Sequence, residues 1–275
     1  MKELIANGKK ISLKKPVIMG ILNLSPDSFY DGGVHKSYKK IIKKIDQYLE
    51  DGISILDIGA ASSKPGVKEI SEKEEFRRLL PALKLIRNSY PGLFISVDTY
   101  RSRVAMASAE LGADMINDIG AGLFDENMFQ VISETGLVYA MMHSKDKPQR
   151  MQINPIYKNV SLEVFSFLKN RISLAKKQGI KQIVVDPGFG FGKTLKHNYT
   201  LLRNLDTFLK LDCPVLVGLS RKSMIYKLLG GDANTSLNGT SVLNGIALLK
   251  GAAILRVHDA KEALEAAKLI ECLKK

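Results

Sequence analysis

The 275 residues are 45% hydrophobic and 25% charged, with 22 glycines and 9 prolines, a globular composition that excludes collagen-like, mucin-like and disordered classes. The net charge of +13 is scattered, much of it on predicted helices (Lys39, Lys40, Lys43, Lys44; Lys176, Lys177; Lys274, Lys275), so a solvated lysine-rich surface is expected and no nucleic-acid partner. No apolar run approaches the roughly 20 residues of a membrane span, and Met1–Gly8 lacks a secretory core, so a cytoplasmic protein without a membrane partner is expected.

The chain opens on Leu4–Leu13, where Asn7-Gly8 between apolar flanks predicts a short β-hairpin. Eight β-rich runs follow, each with a helical pattern behind it. Val17–Leu24 precedes Lys36–Asp51, Ile55–Gly59 precedes Ser71–Asn88, and Leu93–Thr99 precedes Ser102–Leu111. Met115–Ile119 is followed by Asp125–Thr135, Leu137–His143 by Leu162–Gln178, and Ile183–Gly188 by Tyr199–Lys210. Val215–Ser220 leads into a long helical stretch ending near Lys250, and Ile254–His258 into Ala260–Lys274. The runs are apolar nearly throughout, as parallel strands covered on both faces are. Ser71 with Glu74 fits a capping box, and Gly52, Gly112, Gly136 and Gly179 stand where helices should stop. No linker divides the chain, and Cys213 and Cys272 show no metal or disulfide spacing. The pattern predicts an α/β fold: a single (β/α)8 TIM barrel over residues 1–275 with a short N-terminal β-hairpin. An open, doubly wound sheet fits the same count, because counting units does not demonstrate closure.

Polar residues and glycines collect at the C-terminal ends of the runs, where barrel enzymes place their chemistry. Asn23, Asp57, Asp98, Asn117-Asp118, His143, Asp186, Ser220-Arg221-Lys222 and Arg256-Val257-His258 all stand there. Taken singly, Asp98 or Asp259 could cap a helix, and Asn117-Asp118 could form a turn. Together they predict one polar pocket suited to a heterocycle read by carboxylate and amide hydrogen bonds. Gly188-Phe189-Gly190-Phe191-Gly192-Lys193 lacks the P-loop spacing, because Pro187 stands where a glycine is needed; it reads as a close backbone approach with Phe191 free to stack. Lys64, Arg221, Lys222, Arg256 and His258 are the better anion candidates. HExxH, GxSxG and Cys–His nucleophile patterns are missing from the sequence, so covalent catalysis is not indicated.

Met19-Gly20-Ile21-Leu22-Asn23-Leu24-Ser25-Pro26-Asp27-Ser28-Phe29, Val97-Asp98-Thr99, Ile116-Asn117-Asp118, Met141-Met142-His143, Asp186–Lys193, Ser220-Arg221-Lys222-Ser223 and Leu255-Arg256-Val257-His258-Asp259 stand in one order along the chain. In this the whole chain resembles the dihydropteroate synthase family, folate-pathway enzymes inhibited by sulfonamides. The resemblance implies condensation of 6-hydroxymethyl-7,8-dihydropterin pyrophosphate with p-aminobenzoate. It implies that Asp98, Asn117, Met141, Asp186 and Lys222 hold the pterin, with Asp98, Asp186 and Lys222 catalytic. It implies Asn23, Ser63, Arg256 and His258 for pyrophosphate, with Asn23 toward a Mg²⁺ cofactor. Ser63, Lys64, Pro65, Phe191, Ser220 and Lys222 would then shape the p-aminobenzoate site, and two C-terminal helices would pair in a homodimer through Ala263–Leu273. Where the family usually has Gly-Glu-Ser-Thr-Arg-Pro-Gly, this chain has Ala60-Ala61-Ser62-Ser63-Lys64-Pro65-Gly66. Lys64 keeps the charge and loses the planar fork of arginine, so altered p-aminobenzoate or sulfonamide affinity is expected. Two other readings share the pterin-holding residues: a barrel that moves a methyl group from a folate to a cobalamin partner, and a non-catalytic binding protein. Neither calls for Ser220-Arg221-Lys222 together with Arg256-Val257-His258.

Overall fold

The computed structural model describes residues 1–24, 34–60 and 69–273. Strands β1 (Glu3–Ala6) and β2 (Lys9–Ser12) pair antiparallel around Asn7 and Gly8, whose φ values of 49° and 74° make the two-residue turn expected of Asn-Gly. Eight parallel strands follow: β3 (Val17–Asn23), β4 (Ile55–Gly59), β5 (Phe94–Asp98), β6 (Met115–Asp118), β7 (Val138–Met142), β8 (Ile183–Asp186), β9 (Leu216–Val217) and β10 (Ile254–Val257). They lie in the order β8-β7-β6-β5-β4-β3-β10-β9. A parallel bridge between Val185 and Val215, with the Val185 N–H donating to Pro214 O at 2.9 Å, joins the two ends. The sheet therefore curls into a barrel, and the open doubly wound alternative falls.

The helices are α1 (Val34–Glu50), α2 (Glu72–Ser89), α3 (Ser102–Glu110), α4 (Met128–Thr135), α5 (Val160–Lys177), α6 (Leu195–Arg203), α7 (Ser223–Leu229), α8 (Leu237–Leu249) and α9 (Ala260–Leu273). Gly52, Gly112, Gly136 and Gly179 all take positive φ just past helix ends, as the sequence predicts. Three expectations need correction. Ser71 Oγ caps the Glu74 N–H, but the Glu74 carboxylate turns to Arg77 and Arg78, so only half of that capping box forms. A full box forms between Thr194 and His197, which starts α6 four residues before the predicted Tyr199; the remainder of that stretch is a 3₁₀ segment, Leu205–Leu211. The long stretch before Lys250 is two helices, parted at Gly230, whose φ of 74° ends α7.

Alternation along the strands makes two apolar shells. Leu56, Ile58, Val97, Ile116, Tyr139, Met141, Val185 and Val257 face the helices. Met19, Ile55, Phe94, Met115, Val138, Ala140, Val184, Leu216 and Ile254 fill the barrel interior, with Leu4 and Ala6 of the hairpin closing its N-terminal mouth. The hairpin is held there by Asp114, which accepts from Asn7, Lys9 and Arg87 at 3.0, 2.7 and 2.7 Å. The Ile5 N–H also donates to the Gln182 side chain at 2.7 Å.

Candidate active site

Two or four residues beyond the inner-shell positions the side chains still face inward, now at the C-terminal mouth. That parity brings Asn23, Asp57, Asp98, Asn117, Asp186, Ser220, Arg256 and His258 to one rim from the ends of seven strands. Arg256 lies at the centre. Its Nε donates to Asp57 Oδ2 at 2.6 Å and its Nη2 to Asp98 Oδ2 at 2.8 Å. Asn117, register partner of Asp98, donates to the same Asp57 oxygen at 3.2 Å. Asp57 is fully buried, and its Oδ1, like Oγ of its register partner Ser96, has no hydrogen-bond partner among the described residues.

Across the mouth, Asp186 Oδ1 accepts the Gly188 N–H at 2.7 Å. The Lys222 ammonium donates to Phe189 O and lies 4.7 Å from the centre of the Phe191 ring. Ser220 Oγ accepts the His258 N–H at 3.2 Å. Tyr100, Ile119, Met142, Met151 and Phe191 form a separate apolar wall beside these polar groups.

Burial governs the titration of the site. It pushes Asp98 up to about 7, with Arg256 opposing and Asp57 reinforcing the rise. Asp186 is raised by burial too, against the pull of Lys222 and the Gly188 N–H. Lys222 is brought down to about 8 by burial, with Asp186 opposing. Burial also lowers Arg256, but Asp57 and Asp98 outweigh it and hold the guanidinium above its ordinary value. His258 falls to about 4 through burial and the charge of Arg256, so its ring is neutral near pH 7. The result is a pocket with a cation among carboxylates on each flank, Arg256 with Asp57 and Asp98 and Lys222 with Asp186, beside an apolar wall.

The sequence profile of pterin binding enzymes matches residues 19–258. Dihydropteroate synthase of Escherichia coli (strain K12) is 41% identical over 271 residues, 98% of this chain and 95% of that protein. The chain belongs to the dihydropteroate synthase family. Solved structures agree: the Yersinia pestis dihydropteroate synthase in a sulfonamide drug complex superposes with a TM-score of 0.92 at 37% identity, covering 99% of this chain and 98% of that one. The Xanthomonas albilineans dihydropteroate synthase with 4-aminobenzoic acid gives 0.92 at 34% identity, covering 99% and 98%.

Against this family frame the individual expectations sort themselves by geometry. Asp98, Asn117, Asp186, Lys222, Phe191, Ser220, Arg256 and His258 converge on one mouth, and Asn23 stands exposed at the end of β3 beside it. Met141 does not: it packs in the strand–helix shell, and Met142, one residue on, reaches the apolar wall. Ser63, Lys64 and Pro65 lie outside the described residues. Arg221, an anion candidate, is committed to Asp259 by two bonds of 2.9 and 2.7 Å. Asp118 is a turn residue after all, accepting from Gly120, Gly122 and the Tyr139 hydroxyl. Asp98 caps nothing, since Asp125 takes the first N–H of α3. Sequence reasoning placed Asp57 at the rim but gave it no role. Its signal was an acid inside Ile55-Leu56-Asp57-Ile58, a run otherwise apolar.

Proposed function

We propose that this chain condenses 6-hydroxymethyl-7,8-dihydropterin pyrophosphate with p-aminobenzoate, releasing 7,8-dihydropteroate and pyrophosphate. The observation that carries the reading is 41% identity to a dihydropteroate synthase over nearly the whole chain, joined to the inward convergence of Asp98, Asn117, Asp186, Lys222 and Arg256. Asp98, Asn117 and Asp186 suit the donor and acceptor edge of an aminopyrimidinone ring. A site built to hydrogen-bond such an edge rejects analogues that leave its buried groups unpaired.

The reacting bond joins an exocyclic methylene to pyrophosphate. As it breaks, positive charge grows on the dihydropterin and negative charge on the leaving oxygens. Asp98 and Asp186 stabilise the first; Arg256, Lys222 and the neutral His258 receive the second. The amine of p-aminobenzoate then attacks the methylene and loses its proton to solvent or pyrophosphate, so no strong protein base is needed. Phe191 and the Lys222 ammonium beside it offer an aromatic face and a cation to an aromatic carboxylate.

A magnesium ion belongs to this reading. Mg²⁺ keeps several waters and is usually held by one or two protein oxygens together with substrate phosphates. The single amide oxygen of Asn23, exposed at the rim, fits an ion shared with pyrophosphate. When bound, the ion would neutralise part of the leaving charge. We extend the reading to a homodimer, because Val242 and Leu249 of α8 and Leu269 and Leu273 of α9 are exposed on helices that pack against each other. A cytoplasmic location suits the two unpaired cysteines, Cys213 and Cys272; no helix among the described residues is long and apolar enough to cross a membrane.

The test mixes the protein with both substrates and Mg²⁺ and follows dihydropteroate and pyrophosphate together. Equimolar formation is expected, abolished by a chelator and reduced at least a hundredfold by Asp98→Asn or Lys222→Ala. Tight pterin binding without product would overturn the reading in favour of methyl transfer or simple binding.

A further inference from the structure

The five carbonyl oxygens from Gly188 to Gly192 are each taken by a side chain. Lys193 Nζ donates to Gly188 O at 2.8 Å and to Phe191 O at 2.9 Å. Lys222 donates to Phe189 O, Gln152 to Gly190 O at 2.5 Å, and the Tyr157 hydroxyl to Gly192 O at 3.0 Å. Lys193 is the hub: it alone holds two of the five, and it also lies 3.0 Å from His143 Nδ1 and 3.3 Å from His143 O at the end of β7. Its side chain is buried, and no carboxylate is among its hydrogen-bond partners in the described residues. Gly188 O, Phe191 O, His143 Nδ1 and His143 O thus surround one lysine Nζ, whose N–H donors all have acceptors to meet.

The glycines make this possible. Gly188, Gly190 and Gly192 all take positive φ, and a Cβ on Gly188 would stand 2.1 Å from His143 O. The turns they make point the carbonyls of Gly188 and Phe191 back toward Lys193 while Phe189 O faces Lys222. An apolar side chain would fill the same space without fixing a single carbonyl. Mere packing therefore does not account for a hydrogen-bond donor here.

We propose that Lys193 is a positioning residue for p-aminobenzoate: by pinning the backbone at Gly188 and at Phe191 itself, it sets the Phe191 ring and the Lys222 ammonium at the separation that receives an aromatic carboxylate. This rests on the condensation reading above. Of the groups assigned to the pterin edge, Asp98 and Asn117 stand on β5 and β6 away from the pinned loop and only Asp186 bonds to it, through the Gly188 N–H, so losing Lys193 acts on p-aminobenzoate more than on the pterin.

The wild-type protein is assayed first; absence of dihydropteroate would sink the parent reading, and this proposal with it, before any variant is made. In an active protein, Lys193→Met is expected to raise KM for p-aminobenzoate at least tenfold while the Kd of the dihydropterin pyrophosphate stays within threefold. Lys193→Gln, which restores two donors, recovers part of the loss. If Lys193→Met does not fold, His143→Phe carries the test, because it removes the Nδ1 partner and keeps a ring against Phe167, whose centre is 4.9 Å away; a smaller but equally selective rise is expected. Unchanged p-aminobenzoate KM in a folded variant, or an equal loss for both substrates, would overturn the proposal.

Discussion

Replacing Asp57 by alanine removes the acceptor of Arg256 Nε at 2.6 Å and of Asn117 Nδ2 at 3.2 Å in a fully buried setting. Breaking a buried ion pair from one side costs about 3–5 kcal/mol, because the surviving charge stays uncompensated. Asp98 still holds Nη2 at 2.8 Å, which places this case near 3 kcal/mol. The lost Asn117 bond adds about 1 kcal/mol, and removing the orphaned Oδ1 returns a similar amount. The net loss is then about 3 kcal/mol, and at about 2 °C per kcal/mol for a chain of this size Tm falls by roughly 6 °C. Asp57→Asn keeps an acceptor oxygen and should lose about half as much. Urea titration gives the free energy, and calorimetry with the dihydropterin substrate gives the accompanying loss of affinity. Because the Asp57 charge is one of the influences raising Asp98, the acid limb of activity should also move to lower pH in Asp57→Asn. Stability within about 1 kcal/mol of wild type, with unchanged pterin affinity, would refute the claim that Asp57 holds Arg256 in place.

The remaining predictions concern protonation, one glycine and one surface. Activity (kcat/KM for the pterin substrate) should rise as Asp98 ionises near pH 7 and fall as Lys222 loses its proton near pH 8, with His258 silent because it titrates near 4; a flat profile from pH 6 to 9 would contradict this. The raised Asp98 value also means that its contribution to stability is full below its ordinary 3.8 and lost as pH rises to about 7, so Asp98→Asn should flatten the stability curve in that window. Gly188→Ala combines a φ of 72° with a 2.1 Å clash against backbone and should cost about 3–5 kcal/mol, from roughly 1–2 for the left-handed conformation and the rest for overpacking. Gly136→Ala, at φ 67° with nothing within 4 Å, should pay only the conformational part, and equal denaturation midpoints would dismiss the clash argument. Leu269→Glu with Leu273→Glu should shift sedimentation to the monomer; an unchanged dimer would move the interface elsewhere.

The barrel was legible because parallel strands buried on both faces read as apolar runs, and because helix-ending glycines punctuate them. The same property hid the facing of side chains. In Leu137-Val138-Tyr139-Ala140-Met141-Met142 every residue is apolar, so nothing in the sequence says that Met142 rather than Met141 turns inward; only the pairing with Ala140 and Val138 in the barrel interior decides it. Asp57 was left without a role for the opposite reason, since one acid near a strand end passes for a turn residue until Arg256, 199 positions away, is found against it. Arg221 looked like an anion ligand because its partner Asp259 lies on a different strand end. Lys193 behind a glycine run invited a phosphate-loop reading, and the backbone carbonyls that claim it have no signature in sequence at all. Strand identity is local information, whereas the partner of a charge is not.

The hairpin at the barrel's base has a consequence for how the chain is made. Residues 3–12 leave the ribosome ahead of the barrel strands, yet their docking points are Asp114 and Gln182, the latter 177 positions downstream of Ile5. At roughly 5–20 residues per second, the opening segment waits on the order of ten to forty seconds for the surface it closes. During that interval Leu4 and Ala6 have no barrel interior to enter. The hairpin is thus made before the barrel and placed after it, and an extension joined to the hairpin would act on barrel closure rather than on the pocket at the other mouth.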